Sequence, residues 1–229
     1  MAEKLPGLMV WYLVFVFTTT CHEAAHALVA YWGGDMTAYE GGHVTLDPVP
    51  HILRSPVGMV LLPILSYLQM GWMLGFASVP VNVLWGKKHP GRQALMSFAG
   101  PFTNLLLALF ALVAMRALIG AHVLRFSAMH GQLVEVIGHS SRSPLGAMAM
   151  GLGVMFQLNV LLFLFNLVPI PPLDGAGVLE GALPDVFGGI YDWMRRLPGI
   201  ELLGVLLAWQ VFSRYAGPLE LLFYKLLYW

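Results

Sequence analysis

Four stretches of this chain, Leu8–Tyr31, Ala94–Leu118, Pro144–Val168 and Ile200–Tyr224, are long and apolar enough to cross a bilayer as helices. A crossing helix needs roughly 20 mostly apolar residues. Within the hydrocarbon every backbone amide must find its partner inside the protein, which leaves helices or closed barrels as the only spanning structures. Unbroken apolar runs without alternation select helices. The composition agrees, with 10% charged residues against about a quarter in soluble domains. Net charge is zero, so no basic surface argues for nucleic acid. The single cysteine, Cys21, excludes an internal disulfide. The opening apolar run continues too far for a signal peptide and lacks a small-residue cleavage site, so it reads as a retained helix. A fifth stretch, Val57–Val79, carries Pro63, Gln69, Gly71 and Gly75 and can span or re-enter. The expectation is an all-α polytopic membrane protein. It has about four to five transmembrane helices, a re-entrant segment and a short membrane-associated β element, the latter suggested by the alternation in HVTLDP (43–48). It forms one integral-membrane domain over 1–229, with a core at about 8–181 and a C-terminal helix at about 200–224.

The first apolar stretch holds His22-Glu23-Ala24-Ala25-His26. Ionisable groups at membrane depth are costly and point to function. On a helix, residues four apart share a face. Two imidazoles one turn apart can grip one zinc ion while the intervening glutamate reaches the water beside it. Zinc brings the pKa of such a water to about 7, and a carboxylate can then take its proton and pass it to a leaving amine. The plain alternative is a pair of packing histidines, against which the cost of unpaired polar groups in a bilayer weighs.

A catalytic zinc takes three protein ligands and leaves a place for water. The metzincin continuation would need glycine and histidine where this chain has Val29 and Trp32. Glu40 and His43 are near in sequence but lie in a Gly-rich loop, which holds a ligand poorly. Asp174 lies in NLVPIPPLDG, where Pro169, Pro171 and Pro172 break an apolar segment. Alone it reads as a turn or a helix cap. Beside an intramembrane HExxH it is the better third ligand.

Taken together, HEAAH (22–26), FAGPFTN (98–104), FNLVPIPPLDG (165–175) and GGHVTLDPVPH (41–51) resemble the site-2 protease family of intramembrane zinc metalloproteases, in its compact bacterial form without PDZ or CBS domains. The likeness runs over about residues 17–181. It implies that His22, His26 and Asp174 bind Zn2+, that Glu23 is the general base, and that Asn166 holds the substrate carbonyl or its oxyanion. It also implies a multi-pass protein of the inner (plasma) membrane that performs regulated intramembrane proteolysis. The partners would be membrane-anchored proteins: single-span regulators, anti-sigma factors or signal-peptide remnants. Arg54 and His43 depart from the residues common in compact relatives, an acidic residue and an arginine. A metal transporter and a catalytically inactive scaffold are the rival readings.

Convergence of three ligands on one ion constrains topology. His22 and His26 lie toward the C-terminal end of the first helix, and Asp174 at the C-terminal end of its segment, so both ends must face one side. That holds if 57–79 re-enters rather than crosses, with Pro63 and Gly71 helping it turn. Lys87, Lys88 and Arg92 then mark 80–93 as cytoplasmic under the positive-inside rule, and the site opens to the cytoplasm. Cys21 and Asn104 read as packing and as an interhelical hydrogen bond. His43 and His51 read equally as a polar route for water or as interfacial residues.

Overall fold

A computed structural model describes residues 5–127, 133–138 and 143–228. The chain opens on α1 (Leu5–Trp32), followed by short helices α2 (Thr37–Glu40) and α3 (Pro48–Arg54). Next come α4 (Val57–Met70), whose first five residues form a π turn, and α5 (Val83–Lys88). The long α6 (Pro90–Gly120) leads into strands β1 (Leu124–Phe126) and β2 (Val134–Val136). Then follow α7 (Pro144–Asn166), α8 (Asp174–Ala182), α9 (Pro184–Arg195) and α10 (Ile200–Tyr228). Among the described residues three helices, α1, α6 and α7, are long and apolar enough to cross a bilayer. The pair α3–α4, bent by 110°, adds a fourth if taken as one broken span.

The bend decides the fate of 57–79. Its helix covers only 57–70, about 21 Å at 1.5 Å per residue, against a hydrocarbon core of about 30 Å. The sharp turn falls at Ser55–Pro56, between α3 and α4. Pro63 does not make the turn; it sits in the first turn of regular helix after the π segment. Gly71, in the left-handed conformation, closes α4, and the chain runs on without helix or strand through 72–82. With α1, α6 and α7 as successive crossings, the C-terminal ends of α1 and α7 fall on one side.

HVTLDP does not form a strand. Thr45 Oγ1 accepts from the Asp47 N–H at 3.0 Å, and Asp47 caps α3 by accepting from the Val49 N–H at 2.9 Å. Pro48 then starts the helix. Such local side-chain bonds occupy the amides a ladder would use. The β element lies instead between α6 and α7. There β1 and β2 pair antiparallel, Leu124 opposite Val136 and Arg125 opposite Glu135. Leu124 and Val134 point inward onto Met115 and Phe156, forming one apolar cluster at that end. A second cluster joins α1, α4 and α7 through Phe15, Tyr67 and Leu158.

Candidate metal centre

Helix α6 packs against α1, α7 and α8 and is the frame of the site. Gly177 and Gly181, four apart on α8, press against Ser97 and against the Pro90 carbonyl and Ala94 of α6. Small residues at this spacing let two backbones approach closely. The contact sets the start of α8, and so Asp174, over α1. The loop from 167 to 173 is held from above: Tyr191 of α9 donates its hydroxyl to the Pro169 carbonyl at 3.0 Å, and Gly204 of α10 packs on the Pro171 carbonyl.

The result is a triad. Nε2 of His22 and Nε2 of His26 are 3.0 Å apart. They lie 3.2 and 3.3 Å from the two carboxylate oxygens of Asp174. Zinc–ligand bonds of about 2.0 Å give a tetrahedral edge of about 3.3 Å, so the spacing suits that ion. Both histidines are buried. Each spends its far nitrogen on α6: His22 Nδ1–H donates to Asn104 Oδ1 at 2.6 Å, and His26 Nδ1–H to the Met96 carbonyl at 2.7 Å. A neutral imidazole carries one N–H, so both Nε2 atoms present lone pairs to each other and to a carboxylate. Lone pairs converging at 3.0–3.3 Å repel unless a cation lies among them. The chemistry of the donor set therefore fits a metal, with hydrogen-bonded outer partners of the usual kind.

Gly100 completes the geometry from the α6 side. A Cβ built there falls 2.5 Å from Nε2 of His22 and closer still to Nε2 of His26. Any side chain at this position would press on both Nε2 atoms.

Glu23, also buried, borders a cavity of about 290 Å3 together with His26 and Asp174. Its other walls are Ala77–Val79 and Val81 of the segment 72–82, Gln93, Met96 and Ser97 of α6, Pro171–Leu173, Gly177 of α8, and Arg195 of α9. Arg195 is fixed there by a two-pronged pair with Glu180, and Lys87 ties α5 to Asp192 of α9 at 2.7 Å. The structure thus brings together His22, Glu23, His26 and Asp174. Asn166 closes α7, half-buried, outside the residues that line the cavity. Glu40 and His43 do not join the metal cluster, and Cys21 is a free, partly exposed thiol. His43 and His51 are buried with ring centroids 5.3 Å apart. Burial, with His51 and Arg54 nearby, holds His43 below its ordinary pKa. Sequence reasoning missed Asn104 as the partner of His22 and gave no role to Asn159. A buried asparagine in an apolar helix is a signal only when its neighbours are known.

A buried His-x-x-x-His pair on one long apolar helix, closed by a carboxylate from a later segment, is a donor set that could hold a metal ion. Comparison with known proteins agrees. The family model of Peptidase family M50 matches residues 10–192. YwhC of Bacillus subtilis (strain 168), named as a candidate zinc metalloprotease, is 38% identical over 176 residues, covering 75% of this chain and 68% of YwhC. No solved structure matches the chain. The chain belongs to peptidase family M50, the site-2 protease family.

Proposed function

We propose that this protein is a zinc-dependent endopeptidase that cleaves a peptide bond in or near a transmembrane segment of a membrane-anchored protein. The observation that carries the reading is the Nε2–Nε2–carboxylate triad with Glu23 beside it on the cavity wall. When bound, zinc polarises a carbonyl and makes water a nucleophile near neutral pH. Glu23 accepts the proton that the attacking water releases and delivers it to the leaving amine. Asn166 is assigned the substrate carbonyl. On that assignment Asn166→Ala lowers kcat about 10²–10³-fold, the usual loss for an oxyanion donor, with KM little changed in steady-state cleavage assays.

A substrate helix hides its amides in internal hydrogen bonds, so it must present an extended piece. The wall formed by 77–79 supports this. Among the described residues, the N–H groups of Ala77, Ser78 and Val79 donate no hydrogen bond, and Pro80 follows. An extended substrate can pair with such an edge.

The basic residues Lys87, Lys88 and Arg92 support a site open to the cytoplasm and an N-terminus outside. A tag on the N-terminus reached by reagents from the cytoplasmic face would reverse that orientation. The test of the reading itself is cleavage of a single-span substrate by protein reconstituted in vesicles. Chelation is expected to stop cleavage and stoichiometric zinc to restore it. Cleavage unaffected by complete zinc removal would overturn the reading.

A further inference from the structure

We propose that Asn159 is a positioning residue for the metal centre: it sets the tautomer of His22 through Asn104, and its own polarity is set by the backbone carbonyl of Met155. The inference rests on the zinc reading of the site.

Four side chains form a closed, buried path across the three crossing helices. His22 Nδ1–H of α1 donates to Asn104 Oδ1 of α6 at 2.6 Å. Asn104 Nδ2 donates to Asn159 Oδ1 of α7 at 2.9 Å. Asn159 Nδ2 donates to Thr18 Oγ1 at 3.0 Å, returning to α1 one turn before His22. Thr18, Asn104 and Asn159 are each 0% exposed.

The direction of this path follows from one group. Asn159 Nδ2 also donates to the Met155 carbonyl on its own helix at 2.8 Å. A carbonyl only accepts. The end of the Asn159 amide that faces Met155 must therefore be the NH2. Its oxygen then faces Asn104, which must offer NH2 in return. The Asn104 oxygen is left for His22, so Nδ1 of that ring carries the hydrogen and Nε2 keeps its lone pair for the metal. Thr18 cannot set this order, because a hydroxyl both gives and takes. His26 needs no such relay, since Met96 supplies a carbonyl directly. Among the described residues, His22 has no backbone acceptor at Nδ1. A single amide in that place could turn either way, and the second amide removes the choice.

The test is a double-mutant cycle on zinc affinity, read by competition with a chromogenic chelator on the full detergent-purified protein, not by proteolysis. Outer partners of metal ligands are worth about 10–100-fold in affinity. Asn104→Leu is expected to weaken zinc by that order, and Asn159→Leu by about tenfold. The double variant is expected to match Asn104→Leu alone, because Asn159 acts only through Asn104. Additive losses, or wild-type affinity in Asn159→Leu, overturn the inference. Thr18→Val guards against a loss of folding: it removes one partner of Asn159 but leaves Met155, and unchanged zinc affinity is expected. A loss in Thr18→Val equal to that in Asn159→Leu overturns the role given to Met155. Absence of zinc from the folded wild type overturns the metal reading instead, and so the two failures are told apart.

Discussion

Glu23→Gln is expected to bind zinc at about one per chain, like the wild type, and to lose cleavage by about 10²–10⁴-fold, the range of general acid–base contributions. Glutamine keeps the size and most of the hydrogen bonding of glutamate but cannot accept a proton. The residue lies between His22 and His26 in sequence, about 100° around the helix from His22, and borders the cavity beside His26 and Asp174 without being one of the three clustered donors. Its removal should therefore spare the ligands. Zinc by mass spectrometry and turnover in vesicles, measured on the same preparation, decide the matter. A metal transporter would lose nothing at this position, since His22, His26 and Asp174 alone would serve it. A scaffold would show no turnover in the wild type. Retained cleavage in Glu23→Gln would remove the carboxylate from the mechanism.

Where the sequence was legible, one local rule sufficed. HEAAH announces two imidazoles on one face because helical spacing is fixed, and they meet at 3.0 Å. The crossing helices follow from apolar length, which is why Ala94–Leu118 and Pro144–Val168 lie within or beside α6 and α7 with ends shifted by a few residues. Asp174 was legible because prolines break its segment and the triad lacked a ligand. What escaped depends on partners that no local rule names. The alternation in HVTLDP is genuine, but a strand also needs a neighbour, and Asp47 found a helix to cap first. Of the two residues expected to help 57–79 turn, Gly71 ends α4 in the left-handed conformation, whereas Pro63 sits in the first turn of regular helix, where proline is tolerated, and the sharp bend lies at Ser55–Pro56. Asn104 and Asn159 lie 55 residues apart, and nothing in either apolar helix says that the two amides meet.

Gly100→Ala is expected to abolish zinc binding while leaving the crossing helices formed. For an ordinary helical glycine the sign would be the opposite: alanine gains up to about 1 kcal/mol in a helix interior. Gly91, on the same helix with open space around it, is the control and should be neutral or stabilised in Gly91→Ala. At position 100 the new methyl lands 2.5 Å from one ligating nitrogen and nearer the other. Withdrawal of α6 cannot relieve the clash cheaply. The same helix supplies Asn104 and the Met96 carbonyl that hold both rings, so moving it away breaks the bonds that aim them. Asp174→Ala makes the comparison quantitative. It removes one of the three clustered donors and should weaken zinc by about 10²-fold, about 2.8 kcal/mol out of the roughly 10–16 kcal/mol a structural zinc site supplies, with some binding left at high zinc. Gly100→Ala should show none at any concentration the protein tolerates, because the methyl crowds both Nε2 atoms at once. Zinc retained in Gly100→Ala, with stability raised as in Gly91→Ala, would mean that the ion sits away from α6 and that the triad geometry described above is not the one that holds it.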